Sequence, residues 1–68
     1  MSRVICEGDA VRSREDIWVP SPNMSRIPTG SVGVVVMVSW GVIHVRFFAH
    51  PTHWPVKLRA ERLERVDV

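Results

Sequence analysis

The sequence predicts an all-β domain in which five short strands wrap into a small barrel. Three observations carry that reading. The apolar runs are short and rich in β-branched residues, most clearly at 32–38 and 42–48. Turn signals punctuate them, at Glu7-Gly8-Asp9, at Ser39-Trp40-Gly41 and across the polar stretch 49–54. Pro20, Pro22 and Pro28 exclude a helix from the stretch between the first two strands and discourage a central strand there. With 68 residues the chain has room for one domain, 1–68, and no more. A domain of that size buries only about 60% of the surface that its unfolded chain exposes.

Each element follows from its residues. The first strand is placed at 10–14, with Val11 pointing inward. Residues 15–30 read as one long ordered loop, and a loop of that length in a small domain is commonly functional. The run 32–38 is apolar on both faces, Val32, Val34, Val36 and Val38 on one and Gly33, Val35 and Met37 on the other. Its partner, 42–48, places Ile43, Val45 and Phe47 on one face and Val42, His44, Arg46 and Phe48 on the other. Pro55 opens a fourth strand with Val56 and Leu58 inward and Lys57 and Arg59 outward. Ala60-Glu61-Arg62 fits a single 3₁₀ turn, and 63–66 closes the chain as the fifth strand. A helix over 57–66 is the second choice, set aside because Pro55 and the strand-rich surroundings oppose it. The expected core is Val11, Val34, Val36, Ile43, Val45, Phe47, Val56, Leu58, Leu63 and Val66. Five strands, a long first loop and one 3₁₀ turn before the last strand make an SH3-like barrel, whose closure removes exposed strand edges.

Gly8-Asp9-Ala10-Val11-Arg12, the proline-rich loop, and Gly30-Ser31-Val32-Gly33-Val34-Val35 resemble the opening of one SH3-like group. That group holds the photosystem I PsaE subunit, the variable chain of ferredoxin–thioredoxin reductase, the C-terminal barrel of nitrile hydratase β and the NifZ proteins. The stretch from Val56 through Glu64 is similar to the group's final strand, single turn and closing step. The resemblance implies a non-catalytic accessory or protein-interaction module. A second resemblance is to the plasmid-type trimethoprim-resistant dihydrofolate reductases, carried by Leu63-Glu64-Arg65-Val66. It would imply four chains around one catalytic pore. The Val-Gln-Ile-Tyr strand that supplies that family's active residues has no counterpart, since the chain holds neither Gln nor Tyr. This oligomeric enzyme is therefore the alternative, and no enzyme activity is expected of the monomer.

The chemistry-bearing residues are few. His44, His50, His53 and Cys6 are the only set with metal-ligand character, and paired short spacings of the kind zinc prefers are missing beyond His50-x-x-His53. Exposed loop histidines are the plainer reading, and neither a metal nor a cofactor is expected. Cys6 has no local nucleophile signature. The one cysteine excludes an internal disulfide, and no apolar run reaches the length of a membrane span, so a cytoplasmic protein off the membrane is expected.

Binding is the expected activity. Trp18, Arg26, Trp40, Arg46, His53 and Trp54 form the expected surface, because function in so small a barrel sits on loops, and Trp and Arg dominate hot spots. Lys and Arg number 9 against 7 Asp and Glu, a net charge of +2. That balance favours a protein partner or a second copy of the chain over nucleic acid, which remains a further possibility. Self-association is expected from the two-sided apolar run, with Val35 and Met37 as its outward residues.

Overall fold

Valine fills most of the run after Gly33, and stiff β-branched side chains pack well on a pleated surface. That run becomes the longest strand. The computed structural model describes residues 4–19, 25–52 and 54–66. Its strands are β1 (Ala10–Ser13), β2 (Ile17–Val19), β3 (Ser25–Ile27), β4 (Val32–Ser39), β5 (Val42–Phe47), β6 (Val56–Arg59) and β7 (Leu63–Arg65). A 3₁₀ turn, Ala60–Arg62, joins β6 to β7, as the sequence predicts. No α-helix occurs among the described residues, and the helical alternative for 57–66 is excluded.

Five strands form one antiparallel sheet in the order β6-β5-β4-β1-β7. The hydrogen-bonded order leaves β6 and β7 as its edges, so the sheet is not closed on itself. The remaining two strands correct the reading of 15–30 as plain loop. β2 and β3 pair there as a separate ribbon, with Ile17 opposite Ile27. The prolines border that pairing without interrupting it, because Pro20 and Pro22 lie between the strands and Pro28 follows the second. Both isoleucines are buried, so the ribbon folds onto the core. Backbone and side chain of Ser13 hold its base. The Ser13 hydroxyl donates to the Pro28 carbonyl at 3.1 Å and accepts from the Ser31 N–H at 3.2 Å. The Ser13 N–H donates to Ser31 and its carbonyl accepts from Gly30, both at 2.9 Å. Every polar group of this one buried serine is thereby satisfied.

The core comprises Ile5, Val11, Ile17, Ile27, Val35, Ile43, Val45, Phe47, Leu58 and Leu63. Val11, Ile43, Val45, Phe47, Leu58 and Leu63 agree with the expected set. Val34 and Val36 do not: both are half-buried, and Val35 is 1% exposed. The face assignment of β4 is therefore the reverse of the expected one, and Val35 is not an outward residue. Register explains the reversal. Gly33 lies opposite Val11 on one side and Phe47 on the other, and Val35 lies opposite Val45, so the odd positions share the interior with β1 and β5. A bulge then intervenes between Val35 and Met37, which pairs with His44 on the outer face. Val56 is half-buried and packs against the core, and Val66 is half-buried. Ile5, Ile17 and Ile27 complete the interior from segments that the strand pattern did not count.

Gly33 is required for a steric reason. A Cβ there would lie 2.4 Å from the Arg46 carbonyl oxygen and 2.9 Å from a Val45 methyl. Neither atom belongs to a flexible chain end, so the pairing of β4 with β5 would have to open there. Gly33→Ala should destabilise by about 2 kcal/mol, the usual range for overpacking. Phe47→Ala removes a buried ring and should cost about 3 kcal/mol or more. Denaturant melts of both variants check this; a Gly33→Ala midpoint equal to wild type would contradict the close approach.

Candidate functional site

None of the three tryptophans is in the core. Trp18, Trp40 and Trp54 are 61%, 99% and 74% exposed, and Phe48 is 66% exposed. The largest aromatic side chains of the domain therefore lie outside its core.

Trp40 is the most pronounced case. It occupies the two-residue turn of the β4–β5 hairpin with Gly41, between the paired residues Ser39 and Val42. The strand twist demands positive φ at both turn positions, and they have +53° and +76°. Glycine meets that demand freely, whereas a bulky side chain in the left-handed region costs about 1 kcal/mol or more. Trp40 is the only non-glycine residue with positive φ among those described. The turn thus holds a strained, solvent-facing indole where Asn or Gly would be the relaxed choice.

Trp18 sits directly opposite Arg26 on the outer side of the β2–β3 ribbon. Arg26 is drawn towards Asp16, Nη1 to Oδ2 3.6 Å. Asp16 also accepts from the Thr29 N–H at 2.8 Å and from the Thr29 hydroxyl at 2.9 Å. These two donors, with the Arg26 charge as a smaller cause, hold the Asp16 carboxyl below its ordinary range. Since the folded value is depressed, the clamp is intact above the ordinary carboxylate range and is lost as pH falls through the lowered value.

Arg46 lies on the outer face of β5, opposite Val34. Trp54 immediately precedes Pro55 and β6. The structure does not gather the expected surface into one patch. Trp40 precedes β5 and Trp54 follows it, so the six residues of β5, about 20 Å of strand, separate them. Trp18 and Arg26 belong to a different sheet. His53 lies outside the described residues. Among the described residues no three His, Cys, Asp or Glu side chains converge, Cys6 is exposed, and no helix is long and apolar enough to cross a membrane.

What sequence reasoning missed is that the outer row of 42–48 continues across the neighbouring strands. Val42, His44, Arg46 and then Phe48 follow one another along β5. Phe48 extends the row because its N–H donates to the Val32 carbonyl at 3.1 Å. Lys57 pairs with His44, and Arg59 with Val42. Val34 and Met37 lie on the other flank of β5. The outward residues of β4, β5 and β6 thus include no acid, with Trp40 at one end and Phe48 and Trp54 at the other. Period-two alternation carried through to the neighbouring strands would have assembled this face.

Comparison with protein-family models, curated proteins and solved structures finds no significant match.

Two outcomes test the site. Trp40→Gly should leave the melting temperature unchanged or raise it, by up to about 1 kcal/mol of relieved strain; a clear loss of stability would mean that the indole supports the fold. In ¹H–¹⁵N spectra the Thr29 amide should titrate below the ordinary carboxylate range in the wild type and stay flat in Asp16→Asn. An identical titration in both would remove Asp16 as its cause.

Proposed function

We propose that this chain is a small, non-catalytic binding module of SH3-like architecture. Three features support the architecture: the strand order β6-β5-β4-β1-β7, the long excursion between β1 and β4, and the single 3₁₀ turn between β6 and β7. An accessory or interaction role in the cytoplasm, rather than a pore-type reductase, is the activity that accords with this reading.

The observation that carries it is the placement of aromatic side chains outside a core that does not need them. Trp40 is the sharpest example, because its exposure is bought at a backbone cost. Strain retained at an exposed aromatic is understandable where that side chain makes a contact that folding alone does not supply. The outer face of β4, β5 and β6 and its flanking turns form the working surface, with Trp18 and Arg26 as a separate patch.

The test compares immobilised wild type with Trp40→Gly and Trp54→Ala, using Val4→Ala, an exposed residue outside the β4–β5 hairpin, as control. Captured host components are read by mass spectrometry. A component retained by wild type and control but lost from both tryptophan variants is expected. Equal capture by all four folded proteins would contradict a binding role for these residues.

A further inference from the structure

The charge of this chain is divided unevenly. Residues 17–60 contain four cations, Arg26, Arg46, Lys57 and Arg59, and no Asp or Glu. The remainder holds five cations and seven acids. The net charge of +2 is therefore the sum of +4 in the central stretch and −2 in the flanks. Folding sharpens the division. Four of the seven flanking acids are taken up in ion pairs: Glu64 with Arg12 at 3.4 Å, Asp16 with Arg26 at 3.6 Å, Asp9 with Arg65 at 3.3 Å, and Glu15 with Arg62. All four lie on β1, β7, the β2–β3 ribbon and the adjoining turns. Arg46, Lys57 and Arg59 have no ion-pair partner among the described residues, and no acid lies on β4, β5 or β6.

These three cations share one face. Arg59 and Lys57 are two apart on β6, about 6.6 Å along the strand, and Arg46 is the diagonal neighbour of Lys57 across β5. Phe48 continues the same face beside Arg46, and Trp40 stands beyond the end where Arg59 pairs with Val42.

We infer that the outer face of β5 and β6 binds single-stranded nucleic acid, with phosphates at Arg46, Lys57 and Arg59 and bases stacked on Phe48 and Trp40. This deepens the binding-module reading and rests on it. The overall charge balance favours a protein partner, but that balance belongs to the flanks and does not hold on this face. Two competing occupants fit less well. A second copy meeting this face about a two-fold axis would set the same cations against themselves, with no acid to answer them. Protein interfaces are depleted of Lys, whereas here Lys57 stands between Arg46 and Arg59 with no acid on the face to pair with it. Cations tracking a backbone beside exposed aromatics are what a single strand uses, because every base offers a π-face.

The test is fluorescence anisotropy of a fluorescein-labelled oligothymidylate about 16 nucleotides long. Three phosphate contacts give a log–log salt slope of about −2, so a four-fold rise in salt should weaken binding by about twenty-fold. In the double variant Lys57→Gln, Arg59→Gln, the same change should cost only about three-fold. Phe48→Ala should weaken binding by about ten-fold at fixed salt. Arg62→Gln, which alters a paired cation off the face, should leave both quantities unchanged.

No anisotropy rise at low salt overturns the inference. So does a rise indifferent to the Lys57, Arg59 and Phe48 substitutions. Polyglutamate competing as well as unlabelled oligothymidylate would assign the face to an acidic protein, and a duplex competing better would exclude the single strand. If the oligonucleotide fails while the tryptophan variants still lose a captured component, this inference falls and the binding module stands; if both fail, both fall.

Discussion

One interior is all that a chain of this length can fill, and the rest of the structure follows from how that interior is shared. β4 lies at the centre of the sheet, hydrogen-bonded to β1 on one side and β5 on the other. Both of its faces are apolar, but only Gly33 and Val35 are buried. Gly33 lets β4 approach the β5 backbone more closely than any side chain would allow. That approach brings Val11, Val35, Val45 and Phe47 into one cluster, which Ile17 and Ile27 of the ribbon join. Each fully buried aliphatic or aromatic side chain contributes on the order of 2 kcal/mol, and a small domain has little to spare. Once the interior is full, the remaining apolar side chains are at best half-buried.

The outside is accordingly a product of the core. Val34 and Val36 are half-buried, and Met37 and the turn at Trp40 come out to solvent past the β4 bulge. On β5 and β6 the outward positions carry Arg46, Lys57 and Arg59, while the ion pairs gather at β1, β7 and the ribbon. Exposed pairs of this kind contribute little to stability. Their larger consequence is electrostatic: they neutralise much of the charge on β1, β7 and the ribbon and leave the cations of β5 and β6 unanswered.

Much of the fold was legible because strand and turn signals are local. Alternation in 42–48 assigned Ile43, Val45 and Phe47 to the interior, and Ala60-Glu61-Arg62 announced its 3₁₀ turn. Val34 and Val36 were misassigned because Val32 to Val38 is valine at nearly every step. With both faces equally apolar, only pairing with β1 and β5 selects the buried one. The ribbon was hidden because proline marks 15–30 as loop, although Ile17 and Ile27 bracket a pairing that the prolines flank. The six expected binding residues were chosen on composition, and their grouping depends on topology. β5 holds Trp40 and Trp54 apart, and only strand pairing places Lys57 and Arg59 beside His44 and Val42. The acid-free stretch 17–60 was visible in the sequence throughout, but a net charge averages it away.

The division between the cationic, aromatic outer positions of β5 and β6 and the ion-paired region of β1, β7 and the ribbon is best tested by ¹H–¹⁵N shift mapping. Unlabelled oligothymidylate is titrated into ¹⁵N-labelled protein. Amides of 42–48 and 57–59 and the Trp40 indole N–H should shift together, while those of Asp16, Thr29, Arg62 and Arg65 stay still. Shifts confined to β1, β7 and the ribbon, or spread evenly over both sides, would contradict the division.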